Sequence, residues 1–341
     1  MANVQKHFEK YHDAIRMDYD INKQLAEKRD IILAKIRKYL QNNNKPGFQD
    51  VLQGSYVMKT GVKPSGDLVY DIDVGLRFDI SEGDYTAEEV RKWVYQAVKD
   101  HTNDVQPKGA CIRVSYSEGY HVDLVTYAVQ ENWGVITFKL AHKDRGWVDA
   151  NPKALLEYVY AAMKDFEETE DAATKTNQFR RLVRYLHRWD DVAMPRESAA
   201  KPCGLAFVLL VKKYVPYKVL SGGKPDDLSA LINLANAVSN SLGNISVKKP
   251  TPEYEDLFGG LTATQMVQLK TRFINLAKSL TQAKSEADEK KACQILKKEF
   301  GEDFPVPDDV RESLLAAAFT SSVPSFPNQP IIPPNKPGRF A

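Results

Sequence analysis

Cysteine is scarce in this chain. Only Cys111, Cys203 and Cys293 occur in 341 residues. They form no Cys-x-x-Cys pair and no Cys/His cluster at zinc spacing, so neither a disulfide framework nor a structural zinc is expected. Long apolar runs are missing too. The densest, LAFVLLV at 205–211, is far too short to cross a bilayer. The opening MANVQKHFEK has no apolar stretch of the kind a secretory signal needs. Nor does one sign of charge dominate: 47 Lys plus Arg face 45 Asp plus Glu, a net charge of +2. That balance argues against a protein that coats nucleic acid and leaves room only for a local basic cleft. A reducing, cytoplasmic setting without membrane contact is the expectation.

What is present is enough apolar sequence, 43%, for one large or two ordinary domains with real cores. Residues 20–40 place Leu25, Ile32, Ile36 and Leu40 at helical spacing among charges. NNNKPG at 42–47 breaks that helix. Short β-type runs follow at 69–78, 110–117, 120–129 and 134–140, with a helix at 87–100 between the first two. From the helix start Asn151-Pro152 onward the texture is helical. Six stretches carry helical periodicity, among them TNQFRRLVRYLHRW and the long TATQMVQLKTRFINLAKSL…KKACQILKKEF, and the last is DDVRESLLAAAF at 308–319. The final stretch is proline-dense and reads as an extended tail. The expected organisation is an α+β core over 1–150 with an N-terminal helix, a helical lobe over 151–320 and a tail over 321–341.

The chemistry concentrates in QGSYVMKTGVKPSGDLVYDIDVGLRF, residues 53–78. Side chains alternate along a strand, so Asp71 and Asp73 share a face while Ile72 and Val74 take the other. Two carboxylates about 4 Å apart repel by roughly 4 kcal/mol at an effective dielectric near 20. YHVDLVTY sets a third, Asp123, in a second apolar strand. Three such acids with oxygen-only ligation suit Mg²⁺ held together with substrate phosphates. Gly54 permits close backbone approach, and Ser55 offers a hydroxyl and an amide at the start of a short helix, YVMKTG. Phosphate there and metal on the acids describe a bound nucleoside triphosphate.

Gly-Ser, then Asp-x-Asp, then a separate strand Asp resembles the polymerase-beta-like nucleotidyltransferase superfamily. The long gap from Ser55 to Asp71, with WVDANPKALLEYV and RRLVRYLHRW further on, is most similar to the branch holding oligoadenylate synthases, cyclic GMP-AMP synthase and the bacterial CD-NTases. The resemblance covers roughly residues 20–320. It implies a mixed-sheet core, a helical lobe of the kind found in oligoadenylate synthases and poly(A) polymerases, and catalytic and metal-binding Asp71, Asp73 and Asp123. Two Mg²⁺ ions, replaceable by Mn²⁺, are implied as cofactors, with nucleotide contacts at Gly54, Ser55, Lys59, Arg180, Arg184 and Cys203. The implied reaction turns ATP and other nucleoside triphosphates into a cyclic di- or trinucleotide, a second messenger of antiphage defence (CBASS). An operon-encoded regulator, ubiquitin-ligase-like or HORMA-type, is the implied partner, with the tail and its last residue Ala341 as the contact. The sequence departs from the pattern at His187, where a lysine is expected, and at Cys203, where a serine is expected. No Cys/His insertion exists, so activation by double-stranded DNA is not implied.

Other features keep two readings. GVKPSGD (61–67) is a near miss for a P-loop and reads better as a surface loop, with Lys59 and Lys63 in reach of phosphate. Arg180, Arg184 and Arg188 share one helical face, facing either triphosphate or acidic partners. His121 lies on the strand face of Asp123, as a catalytic neighbour or a polar strand residue. Tyr127 and Tyr185 stack on a base or fill a core. A linear-nucleotide or antibiotic nucleotidyltransferase, or a non-catalytic nucleotide-sensing scaffold, are the alternatives to a cyclase.

Overall fold

The structure is a computed structural model. It describes residues 2–17, 19–64, 70–193 and 201–307, apart from the side chains at 19–22, 24, 25, 70 and 71. The chain through Val306 is one compact unit. The helix expected over 308–319 and the proline-dense tail with Ala341 lie outside the described residues, as do 65–67 at the end of the glycine-proline loop and 68–69 after it.

Two helices open the chain, α1 (Gln5–Ile15) and α2 (Tyr19–Asn42). Strand β1 (Phe48–Gln53) leads into the one-turn helix α3 (Gly54–Met58), and β2 (Tyr70–Asp79) follows. Next come α4 (Ala87–Val98), β3 (Asp104–Pro107), β4 (Ile112–Tyr116), β5 (Tyr120–Asn132), β6 (Val135–His142) and β7 (Gly146–Ala150). These seven strands make a single sheet in the order β1-β2-β5-β4-β3, with β6 and β7 continuing from the far half of β5. Only β2 and β5 run parallel, so the sheet is mixed. A mixed-sheet core is what the resemblance implies. β1, β3 and β7 carry little alternating apolar signal; β1 is an edge strand with no fully buried side chain, which is why its sequence does not read as a strand.

The alternation in β2 decides what faces what. Ile72, Val74, Leu76 and Phe78 are all fully buried. They pack on Ile32, Ile36 and Leu40 of α2 and on Val90, Trp93 and Val94 of α4. α4 starts at a capping box in which Thr86 and Glu89 satisfy each other's backbone N–H groups. The opposite face of β2 carries Asp73, Gly75 and Arg77 and borders a cleft.

The remaining helices build a second core. α5 (Pro152–Lys164) starts where Asn151 Oδ1 accepts from Ala154 N at 2.9 Å. Then come α6 (Gln178–Ala193), α7 (Gly204–Tyr214), the hairpin of β8 (Leu220–Ser221) and β9 (Lys224–Pro225), α8 (Asp227–Ser239), α9 (Ala263–Ser285) and α10 (Glu289–Phe300). The sequence pattern read as one long helix is two, because Asp288 caps a new start by accepting from Lys291 N at 3.0 Å. Helix α1, which the sequence pattern did not reveal, packs here and not on the sheet: Phe8, Tyr11 and Ile15 join Tyr185, Trp189, Phe300 and Phe304. Of its two readings, Tyr185 takes the core one. Its hydroxyl donates to Phe8 O at 2.8 Å.

Candidate active site

The sheet register brings the acids together. Asp73 stands across from Asp123 on the parallel neighbour β5, and across from Gln53 on β1. Adjacent strands lie about 4.8 Å apart, so the two carboxylates leave the same face side by side. Asp71 sits across from His121 in the same register, two positions before Asp73; its side chain is outside the described atoms.

Gly54 has φ +70°, and a Cβ built on it would fall 1.9 Å from Asp73 Oδ2. The glycine is needed for two reasons at once. It adopts the left-handed turn that carries β1 into α3, and it leaves the volume that the Asp73 carboxylate fills. The close approach expected at this glycine is therefore an approach to Asp73. α3 ends at Lys59, also left-handed at φ 54°, and Thr60 N returns to Ser55 O at 3.0 Å.

Asp123 is 5% exposed. Both its oxygens accept from one guanidinium, Arg113 Nε at 2.8 Å and Nη2 at 2.6 Å. This fork is the strongest geometry an arginine offers a carboxylate. Beside it, burial, reinforced by the Asp123 charge, pushes the Cys111 thiol well above its ordinary value. Cation density thus already lies on the Asp123 oxygens. The donor set is all oxygen and spans neighbouring strands, which fits a hard divalent cation. Residues Asp71, Asp73 and Asp123 are the ones that would hold it.

Asp73 borders a cleft of about 680 Å³ between the sheet face and α5–α7. Gly54, Ser55, Asp73, Lys63 and Cys203 all line it. Tyr127 does as well, with its hydroxyl donating to Gln53 Oε1 at 3.2 Å, so it is a buried wall and not a free stacking surface. His187 is half-buried in the helical wall. Burial, helped by Lys201 and Arg184, holds its imidazole down at about 4, so at neutral pH it brings no positive charge where the resemblance expects a lysine. Lys201 and Lys249 line the same wall, and Lys201 pairs with Asp191. Sequence reasoning missed both. Lys201 stands two residues before Cys203 in KPCGL, a usable signal; Lys249, in a basic loop, gave none.

Three expected nucleotide contacts fall elsewhere. Arg180 Nε donates to Met58 O at 3.3 Å, and Arg184 donates to Lys59 O at 2.7 Å and Gly61 O at 3.0 Å. Arg188 Nη2 donates to Lys63 O at 2.9 Å. The arginine face of α6 is real, but it holds the backbone of residues 58–63, and neither Arg180 nor Arg184 is part of the cleft lining. The reason is that α6 is buried against this segment, which lies outside the sheet apart from an isolated bridge between Val62 and Arg16, so its carbonyls take side-chain donors. Lys59 is exposed and borders a smaller pocket behind the segment. Arg181 forks onto Asp227, Nε to Oδ2 at 2.8 Å and Nη2 to Oδ1 at 3.0 Å, and is structural.

Residues 49–127 match the family model described as the nucleotidyltransferase domain of cyclic GMP-AMP synthase of the DncV-like kind. The cyclic GMP-AMP synthase of Escherichia albertii is 29% identical over 212 residues, 58% of this chain and 44% of that protein. The chain therefore spans less than half the length of that relative. In fold, the crystal structure of the Vibrio cholerae DncV cyclic AMP-GMP synthase gives a TM-score of 0.72 at 14% identity, covering 89% of this chain and 97% of the other. The same Vibrio cholerae enzyme with the linear intermediate 5' pppA(3',5')pG gives 0.70 at 12% identity, covering 87% and 96%. Among the described residues no helix is long and apolar enough to cross a membrane.

Proposed function

For a chain that carries a bacterial CD-NTase domain, we propose Mg²⁺-dependent synthesis of a cyclic di- or trinucleotide from nucleoside triphosphates, with AMP in at least one position. The observation that carries this reading is the register pair Asp73–Asp123 at the mouth of the Gly54-Ser55 turn. It is a cation-demanding face set beside phosphate-binding donors and a cleft of nucleotide size.

Asp71, Asp73 and Asp123 would hold two divalent ions, with Mn²⁺ able to replace Mg²⁺. The metal, when bound, neutralises developing phosphate charge and lowers the pKa of an acceptor hydroxyl. The chain's own groups do the rest. Ser55 donates to the donor phosphates, and Lys63, Lys201 and Lys249 supply the positive wall along which the triphosphate lies. Arg180, Arg184 and Arg188 keep residues 58–63 in place, so that Lys63 faces the cleft. Arg113 holds Asp123 in one rotamer, with both carboxylate oxygens accepting from its guanidinium. In each transfer an acceptor ribose hydroxyl bonds to a donor α-phosphate, the α–β phosphoanhydride breaks and pyrophosphate leaves; a second such transfer between the ends of a linear intermediate closes the ring, in keeping with the linear intermediate bound by the Vibrio cholerae enzyme. The product serves as a second messenger in antiphage defence. The enzyme works in the cytoplasm, with a ubiquitin-ligase-like or HORMA-type regulator as its partner at residues 321–341.

The test is incubation with labelled ATP, GTP, CTP and UTP and Mg²⁺, followed by phosphatase. A phosphatase-resistant, adenine-containing product is expected, and Asp71→Asn with Asp73→Asn abolishes it while leaving the fold melting at or above the wild-type temperature. A phosphatase-sensitive product means a linear nucleotidyltransferase. An active double variant refutes the mechanism.

A further inference from the structure

Behind residues 59–63 lies a second pocket of about 370 Å³. It shares Ser55 and Gly61 with the catalytic cleft, so this short segment is a wall between the two. Its lining comes from four separated places: Arg16 and Met17 after α1, α3 with its cap Lys59, the turn at 174–176, and Arg184 of α6.

Four of the lining side chains, Arg16, Lys59, Lys175 and Arg184, are cationic, and no carboxylate occurs among the described residues that line the pocket. Asp13 accepts from Arg16 Nε at 3.1 Å from outside the lining. Arg184 is already committed to Lys59 O, Gly61 O and His12 Nε2, so it contributes field more than contact. Lys59 and Lys175 are different. Both are exposed, and both take the left-handed backbone that lysine rarely adopts, at φ 54° and 51°. Among the described residues neither ammonium makes a hydrogen bond or ion pair. Thr174, which also lines the pocket, brings a buried hydroxyl to it, next to the Asp171 carboxylate that accepts from Thr174 N at 2.7 Å. Half-buried Met17 and Tyr56 supply an apolar side. Like charges gathered in one pocket repel one another unless an anion joins them.

We propose that this pocket binds a phosphate-bearing ligand. The phosphate lies among Arg16, Lys59, Lys175 and the Thr174 hydroxyl, and any attached ring lies against Tyr56 and Met17. Because Lys59 and Gly61 belong to the dividing wall, occupancy stiffens the segment whose other side borders the catalytic cleft.

The experiment is calorimetric titration of the full chain with inorganic pyrophosphate and, separately, AMP. It is run in EDTA on the Asp71→Asn, Asp73→Asn background, so that binding through the metal site does not contribute. The pocket is tested by Lys175→Asn with Arg16→Gln; asparagine tolerates the left-handed backbone while removing the charge. Melting curves confirm that each variant is folded. At least tenfold weaker binding in the pocket variant is expected, together with slowed hydrogen exchange over residues 59–63 when the ligand is bound to the parent. Tighter binding of AMP than of pyrophosphate identifies a nucleotide as the source of the phosphate, and the reverse order identifies inorganic polyphosphate. If neither probe binds, or if a folded pocket variant binds as tightly as the parent, the proposal is wrong.

Discussion

Replacing Gly54 by alanine tests the geometry at the centre of the site. The added Cβ would meet Asp73 Oδ2 at 1.9 Å, Cγ at 2.8 Å and Cβ at 3.1 Å, where ordinary contact begins at 3.4 Å. The carboxylate must then withdraw by about 1.5 Å, the difference between 3.4 and 1.9. Misplacement of a reacting group by about 1 Å costs on the order of 10²-fold in rate. The backbone adds its own penalty, because φ is +70° and a left-handed alanine costs roughly 1–2 kcal/mol. The expected outcome is at least a hundredfold loss of product formation with a melting temperature lowered by only a few degrees. Removing the clash partner separates the two effects. Asp73→Ala added to Gly54→Ala should recover stability relative to Gly54→Ala alone, a non-additive cycle between touching groups. A Gly54→Ala enzyme with wild-type turnover, or a strictly additive cycle, would refute the placement of Asp73 against this glycine.

Arg113→Met leaves buried Asp123 without its fork and should cost about 2–3 kcal/mol, below the full price of a broken buried pair because Arg113 is partly exposed; Mg²⁺ should then raise the melting temperature more in the variant than in the wild type. Lys201→Met should raise KM for the triphosphate about tenfold with a smaller change in kcat, as loss of a ground-state phosphate contact does; an unchanged KM removes Lys201 from the site. His12 is 2% exposed and accepts from Arg184; burial first, then the neighbouring arginines, hold it down at about 3. The unfolded chain takes that proton near pH 6.5 and the folded chain only near 3. Stability is therefore whole above about 6.5 and falls below it by up to about 1.4 kcal/mol per pH unit for this group. Melting temperatures from pH 7 to 4.5 should drop steeply in the wild type and less in His12→Gln, and equal slopes would contradict the shift.

The sequence alone determined which strands carry the candidate acids, because a carboxylate in an apolar alternating run is costly and stands out from its neighbours. It determined that Asp73 sits on the face opposite Ile72 and Val74, a consequence of the period-two pleat. It also determined the Asn151-Pro152 helix start and the arginine face of α6, both set by local geometry. Only the tertiary structure decided what that face touches. Helical spacing puts Arg180, Arg184 and Arg188 in line, but whether they meet phosphate or the carbonyls of residues 58–63 depends on which segment packs there, and no local pattern carries that information. The same holds for Arg113, ten residues before Asp123, which reaches it only because β4 and β5 pair in a register that sets the two opposite. Helix α1 escaped because its buried positions, His7, Phe8, Tyr11, His12 and Ile15, mix histidine and aromatics with the aliphatic signal. Histidine reads as polar in a sequence and becomes core when a partner stands opposite it, as Arg184 does for His12 and Glu289 for His7.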